Sequence, residues 1–209
     1  MSKKTIMLII ASILVILAFI IGFILGAHSH KSPQTGSGEN ETSGHTDATF
    51  DISQCYSVTY NGDFTYSYQV TDQQGNVLLC DDHSTREPSI EQVNTNILGV
   101  TIQTGTGLST NWAIYCDVEK GQISETFQYV LGAQDDYVIY VTYENGQHGI
   151  VVQDIFNEAA YYQTYLPENC SPVAADVVIG CEFNGSGRAT ITYLTGEDYT
   201  EENLIIDLP

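Results

Sequence analysis

The chain has 209 residues and a formal net charge of −20, from 26 acidic side chains against six lysines and arginines. Such a charge repels phosphate backbones and anionic lipid headgroups, so nucleic acid is excluded as an expected partner. The excess lies in residues 50–209, which carry 23 acidic and three basic side chains. This part is long enough for one domain with a sizeable core.

The first predicted element is an apolar helix at residues 5–27, a segment without a charged residue. It would be about 34 Å long, enough to cross a hydrocarbon core of about 30 Å. A cleaved signal peptide is the alternative, although Leu25 stands where cleavage after Ala27 favours a small residue. Lys3 and Lys4 precede the span, which predicts a single-pass signal-anchor with residues 1–4 in the cytoplasm and the C-terminal domain outside.

Residues 28–49 contain mostly Gly, Ser, Thr, His, Asn and Glu, with almost nothing to bury. This composition predicts a disordered linker between the anchor and an acidic extracytoplasmic domain at 50–209. Histidines in this segment lack a rigid scaffold that would fix metal-ligand geometry, so we expect no metal site there.

The domain shows a repeated pattern, clearest in Tyr137–Leu166 (YVIYVTYENGQHGIVVQDIFNEAAYYQTYL). Three runs rich in Val, Ile and Tyr are separated by short reversals, which predicts a three-stranded antiparallel meander. Similar units begin at Tyr56, Ile97, Tyr137 and Val177, at spacings of 41, 40 and 40 residues. A steady period of this length is typical of repeat architectures.

Each unit supplies three predicted strands. They cover 55–60, 64–71 and 77–80; 97–103, 112–118 and 123–127; 137–143, 150–156 and 161–166; and 177–183, 189–194 and 204–208. The segments 81–96, 128–136 and 167–176 are long enough to add edge strands or to cross to the next sheet. We therefore predict an all-β, small propeller-like arrangement, with a two-sheet sandwich as the alternative.

Loop lengths follow from keeping apolar side chains on one face. In the first unit, a three-residue loop at Asn61–Asp63 predicts that one face holds Tyr56, Val58, Tyr60, Phe64, Tyr66 and Tyr68. In the fourth unit, residues 195–203 are expected to form a long loop.

Five cysteines lie in the predicted exported domain, where disulfides are able to form. In a meander Cys55 and Cys80 would be about 9.5 Å apart, beyond the limit of about 7 Å for a disulfide. Cys170 with Cys181 is the pair we favour if a bridge forms. The competing expectation is that most of the five are small buried residues.

Catalytic signals are weak. Ser109 lacks the second glycine of a nucleophile elbow and precedes no helical pattern. His83 and His148 are the available bases of the domain, and we expect both in surface turns. Adjacent carboxylates suited in principle to glycoside hydrolysis are Asp81 with Asp82 and Asp135 with Asp136.

Aromatic residues are numerous enough to line a ligand groove, although most are expected in the core or in cross-strand pairs. They include Tyr56, Tyr60, Tyr66, Tyr68, Trp112, Tyr137, Tyr140, Tyr161 and Tyr162.

The candidate metal site is the loop that carries Glu197, Asp198, Glu201 and Glu202. A hard oxygen-ligated cation such as Ca²⁺ would relieve their mutual repulsion. A solvated loop is the competing interpretation, because the pattern matches no twelve-residue calcium loop. No other cofactor is expected.

We therefore expect a binding or interaction domain on a single-pass anchor in the cell membrane, with a protein or glycan as ligand. An exported hydrolase with glycoside-type carboxylate chemistry is the first alternative, and a structural envelope component is the second.

Overall fold

The computed structural model describes residues 50–170, 177–185 and 187–209. The predicted anchor at 5–27 and the linker at 28–49 lie outside these described residues. Within them, no helix is long and apolar enough to cross a membrane. The described chain is almost entirely β, with a short 3₁₀ helix at Ile52–Cys55 ahead of the first strand.

In this part of the chain fifteen strands form four antiparallel sheets. Sheet 1 contains β1 (Tyr56–Tyr60), β2 (Tyr66–Thr71) and β3 (Val77–Ser84). Sheet 2 contains β4 (Pro88–Gln92), β5 (Ile97–Gln103), β6 (Asn111–Asp117), β7 (Gln122–Ile123) and β8 (Phe127–Gln128). Sheet 3 contains β9 (Val130–Gln134), β10 (Tyr137–Glu144), β11 (Gln147–Asp154) and β12 (Asn157–Tyr165). Sheet 4 contains β13 (Val178–Asn184), β14 (Arg188–Thr195) and β15 (Thr200–Asp207).

The predicted meanders are confirmed in the first, third and fourth units, because their successive strands pair with one another. In the second unit the predicted strand 123–127 is divided into β7 and β8, which both pair with β6. The two inner sheets each gain an edge strand, β4 and β9, from the segments between units. Turn chemistry explains the cleanest hairpin: Asn145 and Gly146 have φ of 53° and 83°, and Glu144 pairs with Gln147. Positive φ at both central residues is the type I′ geometry that Asn-Gly favours.

Two predicted loop lengths are wrong. Tyr60 pairs with Tyr66, so the first hairpin loop spans residues 61–65 and Phe64 belongs to the loop instead of the strand. Tyr60 and Tyr66 nevertheless lie on one face of the sheet, as predicted. The observed register differs from the predicted one by two residues, and a shift by an even number keeps each side chain on the same face.

In the fourth unit the ladder continues to Thr195 opposite Thr200, which leaves a turn at residues 196–199 instead of a loop at 195–203. Glu202 accounts for the longer ladder, since its carboxylate accepts hydrogen bonds from Tyr193 Oη at 3.0 Å and Thr195 Oγ1 at 3.2 Å.

The sheets pack face to face in chain order. One cluster of buried residues joins sheets 1 and 2 and includes Val70, Leu98 and Val100. A second joins sheets 2 and 3 through Tyr115 and Val138, and the third joins sheets 3 and 4. Within the described residues, none of the three clusters joins sheet 4 back to sheet 1.

On the central strands of the two terminal sheets, the side chains that face outward are polar. On β14, Ala189, Ile191 and Tyr193 are buried against sheet 3, whereas the alternate residues Thr190 and Thr192 face away. Sheet 1 follows the same rule, with Tyr68 and Val70 turned inward and the alternate positions of β2 occupied by Ser67, Gln69 and Thr71. Polar outer faces are what terminal units of a repeat array need to remain soluble.

All five cysteines are free thiols, so the favoured Cys170–Cys181 bridge is absent and that prediction is corrected. Cys55 and Cys116 are buried, but Cys170 and Cys181 are half-buried and Cys80 is exposed, so the expectation that most of the five are buried is wrong. Burial raises the pKa of Cys116 to about 12, which leaves it a neutral core residue.

Candidate functional site

The first concave site, the aromatic cleft, lies at one end of sheet 1 and has a volume of about 450 Å³. Its lining residues are Tyr60, Phe64, Tyr66, Thr85, Arg86 and Glu87. Tyr60 ends β1 and Tyr66 begins β2 directly opposite, so their ring centroids lie 5.3 Å apart at an interplanar angle of 54°. The hairpin therefore builds one wall of the cleft from two tyrosines.

Phe64 extends this wall from the hairpin loop, with 85% of the residue exposed. Its φ is +64°, a left-handed conformation that is a genuine outlier for a bulky side chain. The loop enforces it, because the Phe64 N–H donates to Tyr60 Oη at 3.2 Å and Asp63 Oδ1 accepts from the Thr65 N–H at 3.1 Å. This backbone conformation costs about 1–3 kcal/mol. Because the exposed Phe64 ring does not pack in the core, the cost points to a role of the ring at the surface.

Arg86 lines the cleft from the bend between β3 and β4. Ser84 Oγ fixes this bend by donating to the Arg86 carbonyl at 2.6 Å. The two other cations of the domain are neutralised, Lys120 by Asp117 at 2.9 Å and Arg188 by Asp207. Among the described residues, Arg86 is thus the cation that forms no ion pair.

Glu87 stands beside Arg86 and interacts with Tyr66. Burial, followed by the charge of Glu87 and a hydrogen bond to its carboxylate, raises the pKa of the Tyr66 hydroxyl. The lining of the cleft therefore combines aromatic rings with an unpaired guanidinium and a carboxylate.

A second concave site, the Tyr–Glu groove, lies against the face of sheet 3 that turns toward sheet 2 and has a volume of about 300 Å³. Its lining residues are Glu125, Tyr140, Thr142, Glu144, Val151, Gln153, Glu158, Tyr161 and Gln163. Alternation along β10, β11 and β12 places Tyr140, Val151 and Gln163 on one face. Glu125 enters from the segment between β7 and β8 of sheet 2.

The floor of the groove is a connected hydrogen-bond network. Gln153 is 7% exposed, accepts from Tyr140 Oη at 2.8 Å and donates from Nε2 to Glu125 Oε1 at 2.9 Å. Burial raises the pKa of Tyr140, and the negative charges of Glu125, Glu144 and Glu158 raise it further. The negative charges of three carboxylates therefore reach the Tyr140 hydroxyl in this groove.

A third cleft, of about 360 Å³, lies between sheet 2 and β9. Its polar side chains are already engaged: Ser89 Oγ donates to Glu91 at 2.9 Å, and Gln103 Nε2 donates to the Gly107 carbonyl at 2.8 Å. Asn111 Nδ2 likewise donates to the Val130 carbonyl at 2.9 Å. The Asn111 bond joins the two sheets, and the other two lie within sheet 2; because these groups are already engaged, this cleft is the weakest of the three candidates.

The candidate catalytic residues named from the sequence are dispersed. Ser109 is fully buried in the loop between β5 and β6. His83 is exposed on β3, and His148 is 3% exposed on β11 with its ring 4.7 Å from that of Tyr143. The expectation that both histidines lie in surface turns is therefore wrong, because each lies within a strand. Neither histidine lines the aromatic cleft or the Tyr–Glu groove.

The candidate calcium ligands lie at the hairpin of sheet 4. Glu197 and Asp198 are in the turn, while Glu201 and Glu202 begin β15 and point to opposite faces of the sheet. In the described part of the chain, no group of three or more His, Cys, Asp or Glu side chains is placed to hold a metal ion. The calcium site remains a prediction.

Sequence reasoning named the tyrosines of both concave sites but missed Arg86, Glu87, Glu125 and Glu158. The sequence feature that could have indicated the aromatic cleft is Arg86, because it is one of three basic residues in the domain. The groove carries no comparable signal, since Gln153 and Glu125 are brought together by packing between two sheets.

Comparison of the chain with models of protein families, with curated proteins and with solved structures finds no match. The function is therefore argued from the chemistry of the two concave sites.

Proposed function

We propose that the protein is a membrane-anchored, extracytoplasmic binding domain whose aromatic cleft takes a neutral saccharide. The observation that carries this proposal is the aromatic wall of Tyr60, Phe64 and Tyr66 in the same cleft as an unpaired Arg86. A sugar ring presents an apolar face of C–H groups and a rim of hydroxyls. The cleft offers a partner for each of these two surfaces.

The aromatic wall supplies rigid contact area. Tyrosine and phenylalanine bury large surfaces while immobilising few torsions, which keeps the entropic cost of binding small. Because Tyr60 is already hydrogen-bonded through its hydroxyl to the Phe64 backbone, the wall is organised before a ligand arrives. Preorganisation of this kind improves affinity by reducing the ordering cost.

The charged groups supply orientation. Arg86 has N–H donors for sugar oxygens, and Glu87 has acceptor oxygens for sugar hydroxyls. Hydrogen bonds to charged groups are the stronger class, at about 1.5–3 kcal/mol each. The net charge of −20 disfavours polyanionic glycans, which leaves a neutral saccharide as the best match.

The proposal also includes a propeller-like arrangement of the four sheets and an N-terminal membrane anchor. The 40-residue spacing and the packing of consecutive sheets support an incomplete propeller-like stack over a two-sheet sandwich. The apolar segment 5–27 with Lys3 and Lys4 ahead of it supports a domain held outside the cell membrane.

The test begins with an array of neutral oligosaccharides probed with the full-length chain in a nonionic detergent. Calorimetry then measures the affinity of the best binder for the Phe64→Ala variant. We expect binding to weaken tenfold or more, because the exposed ring loses its stacking contact. Arg86→Gln is expected to weaken binding as well, through loss of charged donors.

Tyr199→Ala is the matched control, because Tyr199 is also an exposed aromatic residue at positive φ, with values of 64% and 51°. It lies in the turn of sheet 4, and its variant should bind like the unaltered chain. Absence of binding to every neutral oligosaccharide, or equal losses in both alanine variants, would contradict the proposal.

The hydrolase hypothesis stays a prediction. The Tyr–Glu groove satisfies one part of its requirements, carboxylates that line a concave site. Incubating the same oligosaccharides with the chain and following reducing ends would detect such an activity.

A further inference from the structure

We infer that the Tyr–Glu groove is a second binding site, and that its ligand is a peptide segment bearing a lysine or arginine side chain. This inference is independent of the saccharide site, because the groove lies between sheets 2 and 3 and shares no residue with the aromatic cleft.

The rim of the groove attracts a cation. Glu125, Glu144 and Glu158 are exposed around it, and none of the basic residues of residues 50–209 lines it. A concave surface lined by one sign of charge focuses the potential and raises the local concentration of oppositely charged groups. Tyr161, which is 57% exposed, adds a ring face, on which ammonium and guanidinium groups bind with about 0.5–2 kcal/mol.

The spacing of the carboxylates favours an organic cation over a bare metal ion. They come from three separate segments, the β7–β8 connection, the end of β10 and the start of β12. Within the described residues they form no group close enough to hold a metal. An elongated side chain that ends in several N–H donors satisfies carboxylates distributed in this way.

The floor of the groove identifies a second requirement of the ligand. Thr142 Oγ1 and Gln163 Nε2 have no accessible surface and no hydrogen-bond partner, although both residues line the groove. A buried polar atom left without a partner costs about 1–3 kcal/mol. Gln163 as a whole is half-buried, so its amide is able to turn into the groove, where the nitrogen requires an acceptor that an ammonium group lacks and a peptide carbonyl provides. The combination of acidic rim and unsatisfied floor therefore fits a basic residue within a peptide.

The experiment is calorimetry of the full-length chain in a nonionic detergent with acetylated tri-lysine amide. Two probes of related chemistry accompany it: acetylated tri-glutamine amide keeps the backbone without charge, and spermidine keeps three cationic groups without a carbonyl. We expect the lysine peptide to bind, spermidine to bind at least several-fold more weakly, and the glutamine peptide to show no heat of binding.

Two double variants separate the groove from general electrostatics. Glu125→Gln with Glu158→Gln removes two rim charges and should weaken binding tenfold or more. Glu182→Gln with Glu201→Gln removes the same charge from exposed positions of sheet 4 and should leave the affinity within about twofold, because screening limits long-range effects.

Gln163→Leu tests the floor and should weaken the lysine peptide several-fold while leaving spermidine unchanged. Equal losses in the two double variants would overturn the inference and assign the binding to the overall charge of the domain. Tighter binding of spermidine than of the peptide, or binding of the glutamine peptide, would overturn it as well.

Discussion

The inner sheets 2 and 3 differ from the terminal sheets 1 and 4 in how many of their faces are buried. Along β11 every residue from His148 to Gln153 is buried, whereas along β14 burial alternates residue by residue. The first pattern is that of a strand covered on both sides, and the second is that of a strand with one face in water. Stability is therefore concentrated in the middle of the stack, and the ends are free to carry exposed features.

The strongest way to test this difference is to truncate one isoleucine in each region. Ile150 on β11 is fully buried, and Ile205 on β15 is 65% exposed. We expect Ile150→Ala to lower the free energy of unfolding by about 2–5 kcal/mol through lost burial and a cavity. Ile205→Ala should change it by less than about 0.5 kcal/mol.

Urea unfolding of both variants, followed by circular dichroism, measures these changes. Comparable losses at the two positions would mean that sheet 4 is covered on its outer face in solution and is not a terminal sheet.

A second comparison probes the contact between sheets 3 and 4 against a turn of sheet 4. A Cβ at Gly132 would come within 2.7 Å of the Phe183 ring, whereas one at Gly185 would meet nothing within 4 Å. Gly132→Ala should therefore destabilise the domain by about 1–3 kcal/mol through overpacking. Gly185→Ala is the control and should leave the unfolding midpoint almost unchanged. A harmless Gly132→Ala would show that Phe183 moves aside freely and that this interface is loosely packed.

A substitution in the strained loop of sheet 1 is expected to stabilise the domain, whereas the core and interface substitutions above destabilise it. Phe64→Gly removes the penalty of a side chain at φ +64° and should stabilise the domain by about 0.5–1 kcal/mol, while saccharide binding is lost. Phe64→Ala keeps the Cβ and the strain, so it should lose binding without this gain. Thermal melts of the two variants distinguish them. Destabilisation by Phe64→Gly would show that the ring supports the fold.

The smallest effect concerns pH and the turn between β2 and β3. Hydrogen bonds from the Asn76 side chain and from backbone N–H groups of residues 74–76 lower the pKa of Asp72. Its stabilising contribution is therefore complete above the unfolded pKa of about 3.9 and is lost as the pH falls through the folded value. We expect Asp72→Asn to lower the melting temperature at pH 6 and to lower it by less as the pH approaches 2.5.

Asp82→Asn, which removes one charge from an exposed position on β3, is the control for net charge. A difference in melting temperature between the unaltered chain and the Asp72→Asn variant that stays constant from pH 6 to pH 2.5 would exclude ionisation of Asp72 as its cause.

Local patterns predicted most of the fold. Asn-Gly turns and alternating apolar residues placed the hairpins, as in the β10–β11 pair around Asn145 and Gly146. The loop at 61–65 escaped prediction because Thr65 is a good strand residue, and its position outside the strand depends on hydrogen bonds from Thr65 to Asp63 and from Phe64 to Tyr60. Sequence spacing alone does not specify such side-chain bonds.

The candidate sites were less predictable than the strands. The exposed tyrosines belong to strands that the sequence predicted. Which of these tyrosines stay exposed to solvent depends on how far each sheet overlaps its neighbour. Glu125 and Gln153 are separated by 28 positions and belong to different sheets, and their hydrogen bond follows from packing between those sheets. Periodicity within a single unit contains no information about that contact.

Consecutive pairing within each sheet also determines the order in which the chain is able to acquire structure during synthesis. Sheet 1 is complete at Ser84, and its contacts with sheet 2 require nothing beyond Gln128. Structures built from sequence-local contacts fold rapidly, because little loop entropy is lost before each contact forms. The first half of the domain is therefore able to fold while residues 177–209 are still being synthesised, which shortens the period in which unpaired strand edges are exposed to aggregation.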